Sequence, residues 1–466
     1  MTTSGTKLSF PRASSAGSDA ANRFYAKSVK LFAVPANDRP TRVYARGLRL
    51  AGAAVVLCGA MTVSALSASS PQNAADVKVP SVRSDELWNS VFDRHDGWTG
   101  ADVAGSVDLG DGRMLWLFGD TWIGSIRDGK RMPGARMVNN SIAVHTKNKT
   151  APWNAPDPLA VRFFWGANNA NGQPTAWVVP SVEAAGRQPS SESREWLWPT
   201  GGGLAVEGST NSRRLSLFFF RVRRNAHGKG VWNFSVVGTT LGTIDNAAEP
   251  VERWKVKLLD IPHLLKLKGP GGSQAEPETM WGMTVCLDPS TLKDKSPDAL
   301  IYGVRKTGPF NNSLVLARVP ATIIDRFDAW KFYAGGNSWM HPSTASTPIA
   351  DGMVSEFSVE HFAQDGRTKF ILIQSEPFLG SQIFVRTASK PQGPWSPRRT
   401  VHTVSDVKRN RTYFPYAAKG HAALSRPGEL LVTYLVNSNQ FSDLVTDTQI
   451  YRPKFIRLSA SLLFSP

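Results

Sequence analysis

Two aspartates on either side of a hairpin signal are the residues of this 466-residue chain best suited to chemistry. Trp98-Thr99-Gly100-Ala101-Asp102 is followed by Leu115-Trp116-Leu117-Phe118-Gly119-Asp120-Thr121-Trp122, with Gly110-Asp111-Gly112 between them. An Asp-Gly turn flanked by apolar residues marks a hairpin. Centred on Asp111, it makes residues whose numbers sum to 222 face one another, setting Asp102 opposite Asp120, Ala104 opposite Phe118 and Gly105 opposite Leu117. Directly opposed side chains have Cβ atoms about 4.5–5.5 Å apart, and like charges there are destabilising. Carboxylates this close separate in pKa, so that one holds a proton as general acid while the other stays ionised as base or nucleophile. Glycoside hydrolysis requires such a pair. A structural reading competes with it: Asp120 caps the turn with Thr121, Asp102 ends a solvated strand, and a one-residue bulge breaks the pairing.

Further polar groups stand at the starts of apolar runs: Glu356 in Ser355-Glu356-Phe357-Ser358-Val359, Glu278 before Trp281, and His421 in Lys419-Gly420-His421-Ala422. Glu356 joins Asp102 and Asp120 as a candidate catalytic carboxylate. Glu278 and His421 are candidates to orient a sugar, and Trp98, Trp122, Trp198 and Trp281 to stack on its faces. Asn140, in Asn139-Asn140-Ser141, is a candidate for hydroxyl contacts. Each also has an ordinary structural reading, as a loop charge, a hydrogen-bonded histidine, a core ring or a turn residue. No dinucleotide, phosphate-loop, zinc-protease or hydrolase-elbow motif is present. No cofactor or metal ligand set is expected. Loop Asp and Asn groups leave a structural calcium ion open.

The elements that must position these residues read as β throughout. From about Trp88 onward, short runs rich in Val, Ile, Phe and Trp alternate with Gly, Asp, Asn and Pro. They fall into five groups, which predicts an all-β fold, a five-bladed β-propeller over residues 88–460, with a β-sandwich as the rival. The groups are Ala101–Leu109, Met114–Gly124 and Asn140–Thr146; Pro199–Val206, Arg214–Val222, Val231–Thr240 and Val251–Lys257; Met280–Leu287, Ala299–Arg305 and Ser313–Val319; Ser355–Phe362, Lys369–Ser375 and Ile383–Thr387, with the Gly393-Pro394-Trp395 turn; and Ala417–Leu424, Glu429–Leu435 and Ile450–Arg457. Leu258–Leu267 is the best short helical candidate, Ala321–Phe327 offers a turn or two of helix, and Trp153–Trp196 reads as an insertion. In a propeller the starts of the inner strands converge on one funnel mouth, which would gather the polar groups into a single site.

Composition bounds the rest. A net charge of +17 favours polyanions, but residues 1–49 hold nine Lys/Arg and two Asp, leaving about +10 spread without a basic run. Nucleic-acid binding is not expected, since there is no basic helix. Leu50–Leu66 is apolar, follows Arg42, Arg46 and Arg49, and runs into small residues, so residues 50–69 read as a signal peptide or membrane anchor. Residues 1–49 read as a disordered N-terminal extension, an upstream start codon chosen in error or a cytosolic tail. Export places the protein in the secreted, periplasmic or envelope space, and cleavage leaves Cys286 as the sole cysteine.

The aspartate segments, together with Asn139-Asn140-Ser141, Ser355–Val359, Gly393-Pro394-Trp395 and Tyr451-Arg452-Pro453-Lys454-Phe455, resemble a bacterial family of five-bladed propellers that includes endo-D-arabinanases and is related to arabinanase- and β-fructosidase-like glycoside hydrolases. The resemblance implies that Asp102 and Asp120 are the catalytic candidates. Ala101 stands where many relatives have a second glycine after Trp-Thr-Gly, and Val103 replaces a smaller residue, so the funnel shape is expected to differ. The reading is an exported glycoside hydrolase acting on a furanose-containing, arabinan-like polysaccharide. Its rivals are a propeller that binds carbohydrate without cutting it and one that holds a protein partner on its surface.

Overall fold

The computed structural model describes residues 81–147, 156–180, 195–208, 212–225, 233–263, 278–306, 311–377 and 380–464. Residues 1–49, the apolar segment Leu50–Leu66, part of the Trp153–Trp196 stretch and the end of the Leu258–Leu267 run lie outside them.

Five antiparallel sheets follow one another along the chain. The first is built from Gly105–Asp108, Arg113–Phe118, Ser141–Thr146 and Val161–Phe164, and the second from Glu195–Glu207, Arg213–Arg224, Phe234–Ile244 and Lys257–Asp260. The third starts with Thr279–Leu287, Asp298–Lys306 and Asn312–Pro320 and continues into three short strands. Phe357–Gln364, Arg367–Ser375, Gln382–Ala388 and Arg399–Thr403 form the fourth. The fifth holds Tyr413–Gly420, Glu429–Ser438 and Lys454–Ser459, and Val82–Ser84 from the other end of the chain completes it. The first strand of each sheet packs on the first strand of the next. The fifth returns to the first through His421, whose Nδ1 lies 2.7 Å from Ser106 Oγ.

The apolar runs explain this stacking. Leu115-Trp116-Leu117-Phe118 is apolar at every position because its strand is covered on both faces. Period-two alternation sends Leu115 and Leu117 into the core shared with Leu197 and Leu217 of the second sheet. It sends Trp116 and Phe118 into the core shared with Leu431 and Phe455 of the fifth. Phe218, Phe219 and Phe220 divide likewise among three neighbouring cores.

The Asp-Gly hairpin has the predicted register: Gly105 faces Leu117, Ser106 faces Trp116, Val107 faces Leu115 and Asp108 faces Met114. It stops there. Val103 and Ala104 take φ of 74° and 50°, so Ala104 does not pair with Phe118 and the chain leaves the first sheet. Left-handed backbone at non-glycine residues costs on the order of 1 kcal/mol or more each, and persists where the surroundings enforce it. The same register then resumes in a smaller, separate sheet, where Ala101 faces Thr121 and Gly100 faces Trp122. Ala101–Leu109 and Met114–Gly124 are therefore not single strands. Each is split between two sheets, and the aspartates sit at the junction.

Two other expectations are corrected. Leu258–Asp260 is strand rather than helix, because it pairs with Gly242, Leu241 and Thr240 as the outer edge of the second sheet. Val251–Arg253 is a 3-10 turn, with the strand beginning at Lys257. The helical turns expected at Ala321–Phe327 are present as Ala321–Ile323 and Phe327–Ala329.

Candidate active site

At the junction, Asp102 N–H donates to the Asp120 carbonyl at 3.2 Å and Gly119 N–H to the Asp102 carbonyl at 3.1 Å. The two aspartates are thus neighbours across the break, as the hairpin register requires, and the irregularity lies between them. Gly119 has no side chain because a Cβ there would collide with Asp102 Oδ1.

The two carboxyls live in different surroundings. Asp120 Oδ1 accepts a 2.7 Å bond from Trp198 Nε1 and a 3.2 Å bond from Asn139 Nδ2. Burial pushes its pKa up to about 6, against these bonds and the positive charge of Arg224. Asp102 lies well above the usual carboxylate range: burial is the largest cause, followed by the charges of Asp120 and Glu356. Two bonds work the other way, one from the Tyr451 hydroxyl to Asp102 Oδ2 at 3.1 Å and one from the Asp120 backbone. Both carboxyls are thus raised, and they titrate as one coupled pair.

Glu356, immediately before the first strand of the fourth sheet, is raised by burial and held down by Lys419. Tyr416, on the first strand of the fifth sheet, has its hydroxyl pushed far above its ordinary value, chiefly by burial and then by the charges of Asp102, Glu356 and Asp120. Asp102 thus feels the charges of both Asp120 and Glu356. Beside Asp120, the half-buried Trp196 and Trp198 meet edge to face at 5.5 Å, with Phe234 4.9 Å from Trp198 and the Arg224 guanidinium 5.6 Å from the Trp196 ring. This is an aromatic ledge at a carboxylate, a surface suited to a sugar face.

Several sequence candidates are placed elsewhere. Trp98, at 1% exposure, packs among Phe92, Phe118 and Phe163, and Trp281, fully buried, donates to the His263 carbonyl. Asn140, also fully buried, spends its amide on Val178 and the Leu197 carbonyl. His421 is 2% exposed, with ring nitrogens against Ser106 Oγ and Thr433 Oγ1 at 2.7 and 2.8 Å. None of these four side chains presents a free surface to a polymer, because large rings and satisfied polar groups fill the spaces between sheets. Trp122 is 6% exposed, held between Phe441 and the Arg131 guanidinium. Glu278 acts electrostatically on Arg305. Sequence reasoning missed Tyr451, Tyr416, Trp196 and the buried Glu360 and Lys419. Alternation along Phe357–Gln364 was the available signal for Glu360, which shares a strand face with Ser358 and the adjoining Glu356. Among the described residues, no group of three or more His, Cys, Asp or Glu side chains is arranged to hold a metal ion.

The Trp198–Asp120 bond makes a prediction. Trp198→Phe keeps the ring and removes the donor, so Asp120 becomes harder to ionise. The acid limb of any activity dependent on Asp120 moves to higher pH, lowering the rate at pH 5 by on the order of tenfold and the rate at pH 8 by less. A pH–rate profile of the variant checks it, and an unmoved acid limb contradicts it.

Residues 85–460 match the family described as a domain of unknown function, DUF5005, and the chain belongs to that family. No curated protein matches the chain. Among solved structures, a candidate hydrolase from Bacteroides ovatus is similar with a TM-score of 0.59 and 20% identity, covering 83% of this chain and 93% of that one. An exo-β-1,3-galactanase from Phanerochaete chrysosporium with β-1,3-galactotriose gives 0.38 and 10%, covering 77% and 60%. A GH43_1 enzyme from Xanthomonas citri gives 0.37 and 11%, covering 78% and 91%. At 20% identity the first likeness concerns the fold alone, and the two lower scores add nothing to it.

Proposed function

We propose that this protein is an exported glycoside hydrolase, built as a five-bladed β-propeller, that cleaves a furanose-containing, arabinan-like polysaccharide. The five successive sheets would be the blades and the split hairpin the rim of the funnel. The observation that carries the reading is the asymmetric pair: Asp120 accepts bonds from Trp198 and Asn139, while Asp102 is raised by burial and by the charges of Asp120 and Glu356, which suits Asp102 to hold the proton. In the reaction, Asp102 passes its proton to the glycosidic oxygen as the bond to the anomeric carbon breaks. Water supplies the replacing oxygen, and Asp120 takes its proton or first attacks the carbon itself, according to the carboxyl separation. Trp196 and Trp198 would seat a sugar ring beside Asp120. The furanose preference comes from the motif resemblance, and export from Leu50–Leu66.

Product release from a panel including arabinans and fructans tests this. Oligosaccharides are expected from one or more of these polymers. Binding without cleavage throughout the panel would replace hydrolysis with carbohydrate recognition.

A further inference from the structure

A cleft of about 430 Å³ opens between the segment Asp93–Gly97 and the rings of Phe163 and Trp165, within the range of small-molecule sites. Phe163 is the covered ring, stacked on Trp98 at 4.7 Å with the Arg94 guanidinium 5.4 Å from its centre. Trp165 is the open one. It packs on the core shared by the first and fifth sheets but is only half-buried. Among the described residues it stacks on no other ring, and its Nε1 has no hydrogen-bond partner. The backbone beneath it is bare: Gly97 has φ of 74°, and a Cβ there would stand 3.5 Å from Trp165 Cη2.

The charges at the rim are already matched. Asp93 pairs with the buried Arg452 and lies 3.3 Å from His95, Asp96 pairs with Arg127 at 3.0 Å, and Arg94 donates to the Pro158 carbonyl at 2.9 Å. A charged ligand would have to break one of these pairs, whereas a neutral one can use the lone pairs and N–H groups left over. An open indole rimmed by carboxylates, an imidazole and a guanidinium suits a neutral, hydroxyl-rich ring, its C–H face on the indole and its hydroxyls at the rim. Two runs of chain tie the cleft to the aspartates. The strand Asp96–Ala101 leads from it to Asp102, and Gly97 to Asp102 is at most about 17 Å along an extended chain. Tyr451 and Arg452, adjacent in sequence, hold Asp102 and Asp93 respectively.

We propose that this cleft is a second carbohydrate site, taking neutral sugar units of a polymer whose chain continues to Asp102 and Asp120. The link to cleavage rests on the hydrolase reading, while sugar binding in the cleft does not.

Calorimetric titration of full-chain Asp102→Asn, which leaves polymer intact, with arabinan, galactan and the acidic polygalacturonate tests it. Trp165→Ala in that background is expected to weaken binding of a neutral polymer by about tenfold or more, the scale for truncating an aromatic anchor. Asp96→Asn, at an exposed ion pair, is expected to weaken it by about threefold, and it leaves the rings in place should Trp165→Ala fail to fold. Unchanged affinity in these variants, or no binding of either neutral polymer, overturns the site. Tighter binding of polygalacturonate than of both neutral polymers overturns the neutral ligand. With both aspartates intact, Trp165→Ala is expected to lower kcat/KM on a cleaved polymer about fivefold more than on its disaccharide, which is too short to reach both sites. Equal losses sever the cleft from cleavage. Trp165-dependent binding without hydrolysis by the wild type keeps the cleft and removes the hydrolase reading; hydrolysis with Trp165-independent binding does the reverse.

Discussion

Asp120→Asn is expected to lower hydrolysis by about 10²–10⁴-fold, the range for removing a positioned general acid or base, and by more if Asp120 bonds to the sugar. Asparagine keeps the shape of the side chain and an oxygen to accept from Trp198 Nε1 and Asn139 Nδ2, so the local bonds survive and the charge does not. Asp102→Asn is expected to lose a comparable factor for the opposite reason, since it removes the proton donor. Rates on a cleaved polymer decide the matter, with near- and far-ultraviolet circular dichroism confirming that both variants fold. A loss under tenfold in either variant would remove that residue from the chemistry. The wild type should show a bell-shaped profile, rising near pH 6 as Asp120 ionises and falling at higher pH as Asp102 does.

The second large effect has the opposite sign on stability. A carboxyl whose folded pKa is raised binds protons more tightly in the folded state. Stability is therefore greatest below the unfolded value and declines as pH rises through the folded one. For Asp120 the window runs from about pH 4 to about pH 6. Each pKa unit corresponds to about 1.4 kcal/mol, and partial exposure of the side chain reduces the effect, giving about 1–3 kcal/mol. Asp120→Asn is accordingly expected to match the wild type near pH 4 and to exceed it by about that amount at pH 7. Removing the charge also relieves Asp102. Thermal unfolding at the two pH values measures it, and a variant less stable than the wild type at pH 7 would contradict the desolvated pair. Together the predictions describe a protein that sacrifices stability for a crowded carboxylate unit.

The most informative sequence feature was a two-residue chemical signal, Asp111-Gly112, which fixed a register that holds on both sides of the break. What it could not reveal was the break itself. Val103 and Ala104 carry no turn signature, and their left-handed backbone is imposed by the sheets around them. The strand runs were legible because period-two burial on both faces demands nearly unbroken apolar residues, as in Leu115–Phe118. Tryptophans were harder to place, because a ring that fills the wedge between sheets and one that lines a funnel have the same letter. Trp98 and Trp281 proved to be the first kind, and Trp198 sits at the carboxylates. Tyr451 reaches Asp102 from 349 residues away, a contact that no local pattern encodes.

The strand Val82–Ser84 has a further meaning for how the molecule is made. It pairs with Ile456–Leu458, and the seam is fastened by Arg83 to Glu429 at 2.8 Å and by Arg457 to Asp85. Synthesis makes this segment about 370 residues before its partner strand, so it waits unpaired until Ile456–Leu458 is made. The fifth sheet then acts as a latch between the two ends of the described chain, a long-range pairing of the kind that slows folding. Trimming residues 82–85 would leave every carboxylate of the site in place and yet unfasten the structure that holds them.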